Sequence, residues 1–245
     1  MDPKGKVALI TGGARIGKTV AEALAGKGCS LLMTYRGSRA AAEETVQYAK
    51  EQGVRAVAVQ ADLTVEEDIV SLFREADRQF GRLDILVNMA SLYKKIPPEA
   101  LDLAAWQANL AANLQNAYLL SLKAAPVMRS AGAGRIINFS DWVAASGRPR
   151  YKQFLPYYVA KRGILGLTEG LALELAPEIL VNAIAPGPIL CPPDLTAEED
   201  AEVKNATPLQ RWGGAEEIAK AVLFLIETDF ITGECIRVDG GRHLY

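Results

Sequence analysis

The sequence is poor in the side chains from which metal and disulfide sites are built. Its 245 residues include one histidine and three cysteines, and Cys29, Cys191 and Cys235 lie far apart without a C-x-x-C pair. This spacing favours neither a disulfide framework nor a zinc site. We therefore expect no metal and a reducing, cytoplasmic environment.

The sequence also has no large excess of positive or negative charge and few long apolar runs. The 27 Lys and Arg residues against 29 Asp and Glu leave a formal net charge of -2, which offers no basic field for nucleic acid or an anionic membrane. No apolar run reaches membrane-spanning length, and the first residues are charged and then strand-like rather than a signal region. The expected partners are a small-molecule substrate and further copies of the chain.

The apolar residues, half of the sequence, fall into strand-like runs that alternate with helical patterns. Strands are predicted at 6–11, 29–35, 55–60, 83–88, 135–139, 179–185 and 235–238. Alternation of this kind requires parallel pairing with right-handed crossovers. The predicted fold is α/β, a single Rossmann domain over 1–245 with a doubly wound parallel sheet of about seven strands and helices on both faces. A proline- and charge-rich segment at 188–213 is predicted to be a mobile flap beside the site.

Polar residues appear where the fifth strand ends, at Ser140 and Asp141, which is the edge where open α/β sheets bind ligands. Tyr157 and Lys161 follow four residues apart in a helical segment, so both project from one face. An ammonium near the phenol is expected to lower its pKa and make Tyr157 a proton donor. The alternative is an amphipathic helix whose Tyr and Lys only meet solvent.

This Tyr-x-x-x-Lys pattern after a strand with a polar end resembles the short-chain dehydrogenase/reductase family, NAD(P)-dependent oxidoreductases built on one Rossmann domain. Where that family usually has Ser, this sequence has Asp141, with Ser140 one residue earlier. An Asp in that position and the tail DGGRHLY resemble pteridine reductases and dihydromonapterin reductases. The resemblance implies a homotetramer, in which Arg242 or His243 of a neighbouring subunit could reach the active site.

The glycine loop admits two interpretations. Residues 12–19, GGARIGKT, satisfy the triphosphate-loop pattern G-x-x-x-x-G-K-[ST], whereas the reductase family's loop has one residue more between Gly12 and Gly17. Both loops bind phosphate with amides at a helix N-terminus. The reductase marks elsewhere, such as the Tyr-x-x-x-Lys pair, favour the dinucleotide interpretation, and a non-catalytic nucleotide-binding protein is the less favoured alternative.

Charge at the end of the second strand indicates the cofactor. An NAD enzyme has a carboxylate there, but this strand ends in Tyr35, Arg36 and Ser38, and Arg15 can add a second positive charge. We therefore expect NADPH. With the positions that the resemblance implies, the predicted cofactor contacts are Gly12, Arg15, Ile16, Gly17, Tyr35, Arg36, Ser38, Asp62, Leu63, Asn88, Ala90, Lys161, Pro186, Gly187 and Ile189.

Asn113, in a helix otherwise rich in Ala and Leu, resembles the family's active-site Asn, with Asn109 and Asn116 as alternatives at helical spacing. Its other interpretation is a buried structural amide. The predicted catalytic set is Asp141, Tyr157, Lys161, Asn113 and Ser140.

The carboxylate of Asp141 indicates the class of substrate. An ionised Asp141 accepts hydrogen bonds and repels a developing alkoxide, so ring N–H groups suit it better than a ketone, and the resemblance implies a pterin. Tyr93 and Trp142 are candidates to stack on a flat heterocycle. The alternative is a general carbonyl or 3-oxoacyl thioester reductase. In that case Ser140 would be the working residue, and Asp141 would only cap a helix.

Overall fold

The computed structural model describes residues 1–244 and contains one parallel sheet. Its strands are β1 (Val7–Thr11), β2 (Ser30–Tyr35), β3 (Ala56–Gln60), β4 (Ile85–Asn88), β5 (Gly134–Phe139), β6 (Ile179–Pro186) and β7 (Cys235–Val238). They are ordered β3-β2-β1-β4-β5-β6-β7, and every neighbouring pair is parallel. The predicted doubly wound α/β sheet is confirmed.

Nine α-helices accompany these strands in residues 1–244. They are α1 (Ile16–Gly26), α2 (Arg39–Glu51), α3 (Glu66–Phe80), α4 (Leu103–Leu110), α5 (Asn116–Ser130), α6 (Trp142–Ser146), α7 (Leu155–Leu175), α8 (Ala197–Asn205) and α9 (Ala215–Glu227). Short 3-10 turns occur at Pro98–Ala100 and Arg242–Leu244. None of the helices in this part of the chain is long and apolar enough to cross a membrane.

The sheet is covered on both faces, which explains why its strands are apolar without alternation. In β1, Ala8 and Ile10 pack with α1, α2 and α9. Val7 and Leu9 point to the opposite face of the sheet and pack with α3, α5 and α7. All five β1 residues are buried, so successive side chains complete two separate cores.

Three local features of the helices are seen only in the structure. Helix α1 begins at Ile16, inside the predicted glycine loop. A π-helical turn at Ala111–Gln115 joins α4 to α5; such turns often mark functional sites. Segment 188–213 includes α8, whose start has a capping box between Thr196 and Glu199.

Candidate active site

A cavity of about 640 Å³ runs along the carboxyl ends of the strands. Its walls come from the loops after β1, β2, β4, β5 and β6, from α7, from segment 188–213 and from the turn after β7. A second hollow of about 410 Å³ shares Gly12, Tyr35 and Arg36 with it and reaches the loop after β3. Together they form an elongated cleft at the edge where doubly wound sheets bind nucleotides.

Gly12 and Gly17 leave no room for side chains in the glycine loop. Gly12 has φ +80°, and a Cβ there would lie 3.3 Å from the backbone N of Ala90. A Cβ on Gly17 would collide with the carbonyl oxygen of Gly12. This closely packed loop leads directly into the N-terminus of α1, so the residues present fit the diphosphate of a dinucleotide.

The short loop closes with an unusual backbone at Arg15, which has φ 54° and ψ -114°. That conformation favours glycine, and a non-glycine residue there stores strain. Arg15 is exposed, and it lines the cavity together with Ile16 and Gly17. Lys18, the lysine of the triphosphate-loop pattern, instead makes an ion pair with Glu44 at 3.1 Å and is absent from the residues lining the cleft.

The loop after β2 carries the predicted positive charge into the cleft. Tyr35, Arg36 and Ser38 line both hollows. The carboxylate nearest to this cation is that of Asp62, 3.9 Å from Arg36 Nη1. The Thr64 hydroxyl and backbone N–H donate to Asp62 and, with Arg36, lower its pKa. Leu63 lies beside it in the second hollow.

Asp141 and Ser140 point in different directions at the end of β5. Ser140 is buried, and its hydroxyl donates to the carbonyl oxygen of Lys161 at 2.8 Å. Asp141 lines the cavity. Its Oδ1 accepts the N–H of Val143 at 2.8 Å and caps α6, and its Oδ2 accepts the Tyr157 hydroxyl at 3.0 Å. Asp141 therefore combines the predicted site position with the helix-cap role, whereas Ser140 is not placed to meet a substrate.

The expected lowering of the Tyr157 pKa is wrong for this geometry. Burial, together with the charge of Asp141 and the hydrogen bond to it, raises the Tyr157 pKa well above its usual value. The Lys161 ammonium lies 5.8 Å from the centroid of the Tyr157 ring and donates instead to the carbonyl oxygen of Phe139 at 2.8 Å. The amphipathic alternative also fails, because the Tyr and the Lys are both buried.

The buried groups also shift each other's proton affinity. Burial lowers the pKa of Lys161 to about 8, against the opposing charge of Asp141. Burial raises the pKa of Asp141, although the N–H of Val143, the Tyr157 hydroxyl and Lys161 oppose that rise. Lys161 is absent from the residues lining the cavity, and its cofactor contact stays a prediction.

Asn88 lies below the cleft rather than in it. Its amide nitrogen donates to Asn138 at 2.9 Å across β4 and β5, and its Oδ1 is buried without a hydrogen-bond partner among the described residues. Ala90, two residues later, lines both hollows. Asn88 therefore lies where it supports the loop after β4, and its cofactor contact stays a prediction.

Asn113 sits in the π-helical turn and ties that helix to the loop after β4. Its Oδ1 accepts from the Ser91 hydroxyl at 2.7 Å and the Leu92 N–H at 3.0 Å, and its Nδ2 donates to the Leu92 carbonyl oxygen at 3.0 Å. Asn109 supplies a further carbonyl acceptor. Both amide atoms are thus occupied, which matches the structural interpretation. Sequence reasoning missed Ser91, a cavity residue that stands in the segment NMAS.

The loop after β6 closes one end of the cavity. Pro186, Gly187 and Ile189 all line it. A Cβ on Gly187 would collide with Asp239, while its N–H donates to the Val238 carbonyl oxygen at 2.9 Å. This loop is therefore held against the end of β7, in the position predicted for a cofactor contact.

The two predicted substrate aromatics line the cavity in different settings. Tyr93 is 57% exposed and stacks on Phe154 with ring centroids 4.5 Å apart. Trp142 is buried, and its Nε1 donates to the Tyr151 hydroxyl at 2.9 Å. Of the two tail residues named as able to reach a neighbouring subunit, Arg242 lines the cavity of its own chain.

The fold and this cleft define an oxidoreductase that uses a nicotinamide cofactor. A family model described as Enoyl-(Acyl carrier protein) reductase matches residues 13–243. The chain belongs to the short-chain dehydrogenase/reductase family. This membership excludes the triphosphate-loop interpretation, in agreement with the position of Lys18.

Relatives with different names match at similar identity. The 3-oxoacyl-[acyl-carrier-protein] reductase FabG of Staphylococcus aureus (strain Mu50) is 36% identical over 98% of both chains. FabG of Aquifex aeolicus is 37% identical over 97% of both. Among solved structures, FolM alternative dihydrofolate reductase 1 from Brucella canis, complexed with NADP, is 34% identical with a TM-score of 0.90, covering 100% of this chain and 97% of that one.

Proposed function

We propose that this chain is an NADPH-dependent reductase that transfers hydride to a pterin-type substrate, converting a dihydropteridine to a tetrahydropteridine. The observation that carries this proposal is the placement of Asp141. Its carboxylate lines the cavity and accepts the Tyr157 hydroxyl, while the Ser140 hydroxyl is directed to the Lys161 carbonyl oxygen. A carboxylate at this position matches ring N–H donors better than a developing alkoxide.

Proton supply is the task of the Tyr157–Asp141 pair. NADPH, when bound, supplies the hydride. Tyr157 and Asp141 form one hydrogen-bonded unit, and the raised pKa of Asp141 lets that unit hold a proton closer to neutral pH than an ordinary carboxyl would. We assign delivery of the proton to the substrate nitrogen to this pair.

The cofactor preference rests on the cations of the cleft. Arg15, Arg36 and Ser38 would bind the 2'-phosphate, and the glycine loop with the start of α1 would bind the diphosphate. The loop at 186–189 would hold the nicotinamide. The FolM relative, named as a dihydrofolate reductase and complexed with NADP, supports both the substrate class and the cofactor.

A second candidate is a 3-oxoacyl thioester reductase. The identity of 36–37% to FabG proteins over nearly the whole chain favours it. In that reaction the proton goes to a ketone oxygen. Ser140 could assist only after its hydroxyl leaves the carbonyl oxygen of Lys161, where it donates at 2.8 Å.

The two candidates separate in one assay of NADPH oxidation. Purified protein is given a dihydropterin in one series and a 3-oxoacyl thioester in another, with NADH as the control cofactor. We expect turnover of the pterin with NADPH. Turnover of the thioester alone would replace the pterin proposal with the second candidate.

We further propose that the chain is one domain that assembles as a homotetramer, as the family resemblance implies, and that segment 188–213 acts as the flap. Within it Trp212 donates to Asp200 of α8 at 2.7 Å, and both Val203 and Trp212 line the cavity. Light scattering of the purified protein measures the assembly.

A further inference from the structure

The turn after β7 places a cation in the wall of the cavity. Asp239 is buried, and its Oδ1 accepts the Gly241 N–H at 2.9 Å. Its Oδ2 lies 3.0 Å from the backbone N of His243 and 2.7 Å from that residue's Nδ1. These contacts fix the 3-10 turn that begins at Arg242. The direction of the Arg242 side chain is therefore set by the fold rather than by solvent.

The Arg242 guanidinium lacks the partners that such a group usually has. Its Cζ lies 5.6 Å from the centroid of the Trp142 ring, and its Nη1 is buried without a hydrogen-bond partner among residues 1–244. No ion pair of Arg242 occurs in the same range. A guanidinium has five N–H donors, and a buried donor left unpaired is unfavourable.

The position of Arg242 separates it from the cations assigned to the cofactor. Charged residues in the wall of the main cavity are Arg15, Arg36, Asp141 and Arg242. Arg15 and Arg36 follow β1 and β2, whereas Asp141 and Arg242 follow β5 and β7, on the other side of β1 in the strand order. Arg242 therefore lies in the same half of the sheet edge as the Tyr157–Asp141 pair.

Arg150 provides an internal comparison, because its Cζ also lies 5.6 Å from the Trp142 ring centroid. Arg150 is exposed and is absent from the residues lining the cavity. Stacking on Trp142 alone thus does not bring an arginine into the cavity. Arg242 has both the stacking contact on Trp142 and a place in the cavity wall.

We propose that Arg242 binds an oxyanion, a carboxylate or a phosphate, on a substituent of the substrate beyond its reduced ring, and so selects acidic pterins over neutral ones. This inference rests on the proposed pterin reductase function and specifies its substrate. The guanidinium of Arg242 presents its N–H donors in a planar fork, so it can form two charge-assisted hydrogen bonds at once. This geometry favours an anion that offers two oxygens, as a carboxylate or a phosphate does.

The test compares three dihydropterins that differ only in the side chain, one neutral, one ending in a carboxylate and one ending in a phosphate. We expect the wild-type enzyme to have the lowest KM for one of the acidic substrates, which identifies the anion. Arg242→Gln is expected to raise that KM roughly tenfold or more, with kcat and the KM of the neutral pterin little changed. Arg148→Gln, which removes an exposed charge outside the cavity, is the matched control and should change none of these values.

Two results separate failure of this inference from failure of the function. If the wild type reduces all three pterins and Arg242→Gln alters their KM values equally or not at all, the role of Arg242 is wrong and the function stands. If the wild type reduces none of them, the proposed function is wrong and this inference falls with it. Arg242→Met keeps an apolar stem on Trp142 and should reproduce the loss for the acidic substrate if the glutamine variant does not fold.

Discussion

The two ends of strand β5 use buried charge in opposite ways. At its start, Arg135 is 5% exposed and donates to Ile226 O, Thr228 O and Asp229. Next to it, the side chain of Asp84 accepts from Val7 N–H and Arg82. Every one of these partners belongs to the protein, so this edge has the pattern of a structural network.

At the carboxyl end of β5 the charged groups have few protein partners and shifted proton affinities. Asp141 has a raised pKa, Lys161 has a lowered one, and Arg242 keeps a buried N–H group without an acceptor among residues 1–244. Perturbed and unsatisfied groups of this kind cluster at functional sites. The two edges thus differ in how fully their buried charges are paired within the protein, since burial lowers the pKa of Arg135 as well.

The largest effect is expected from removing a structural charge. Asp84→Ala leaves Arg82 and the Val7 N–H without their acceptor in a fully buried position, which should lower the free energy of unfolding by about 3 kcal/mol. Denaturant unfolding measures this loss. The kcat/KM of the folded fraction should stay unchanged, and a loss of activity with unchanged stability would contradict the division between the two edges.

The second prediction concerns pH and Lys161. Because its pKa falls from 10.5 to about 8 on folding, the unfolded state binds more protons between these values, so stability contributed by Lys161 rises with pH across that window. The full gain is about 3 kcal/mol. The wild type should therefore gain stability relative to Lys161→Met between pH 7 and 10, measured by denaturant unfolding. Parallel curves for the two proteins would contradict the lowered pKa of Lys161.

A smaller effect is expected at the cofactor end of the cleft. Arg36→Gln should raise the KM for NADPH roughly tenfold, because a charge-assisted bond to the 2'-phosphate is lost, and should leave the KM for NADH unchanged. Arg39→Gln is the matched control. Arg39 pairs with Glu43 at 2.7 Å and lies outside the two hollows of the cleft, so it should change neither value.

The parallel α/β sheet and the positions of Asp141 and Tyr157 follow from the sequence because they depend on local patterns. Unbroken apolar runs predict strands covered on both faces, and a polar residue directly after such a run must emerge at the carboxyl edge. Tyr157 reaches the same edge because α7 follows β5. These features require no knowledge of distant contacts.

The proton affinities and several contacts could not be predicted from local sequence patterns. The raised pKa of Tyr157 depends on its burial and on the charge and hydrogen bond of Asp141, which tertiary packing determines. The backbone of Arg15 depends on how a shortened loop closes against α1. The tail pattern gave no indication that Arg242 would enter its own cavity.

The role of Asp141 is tested most directly by the effect of Asp141→Ala on pterin reduction, with Ser140→Ala as the neighbouring control. We predict that Asp141→Ala lowers kcat for the dihydropterin at least about a hundredfold while the Kd for NADPH stays nearly unchanged. Ser140→Ala should retain most of the activity, because its hydroxyl is bonded to the backbone of α7. Unchanged pterin turnover in Asp141→Ala would contradict the assignment of the carboxylate as the group that defines this active site.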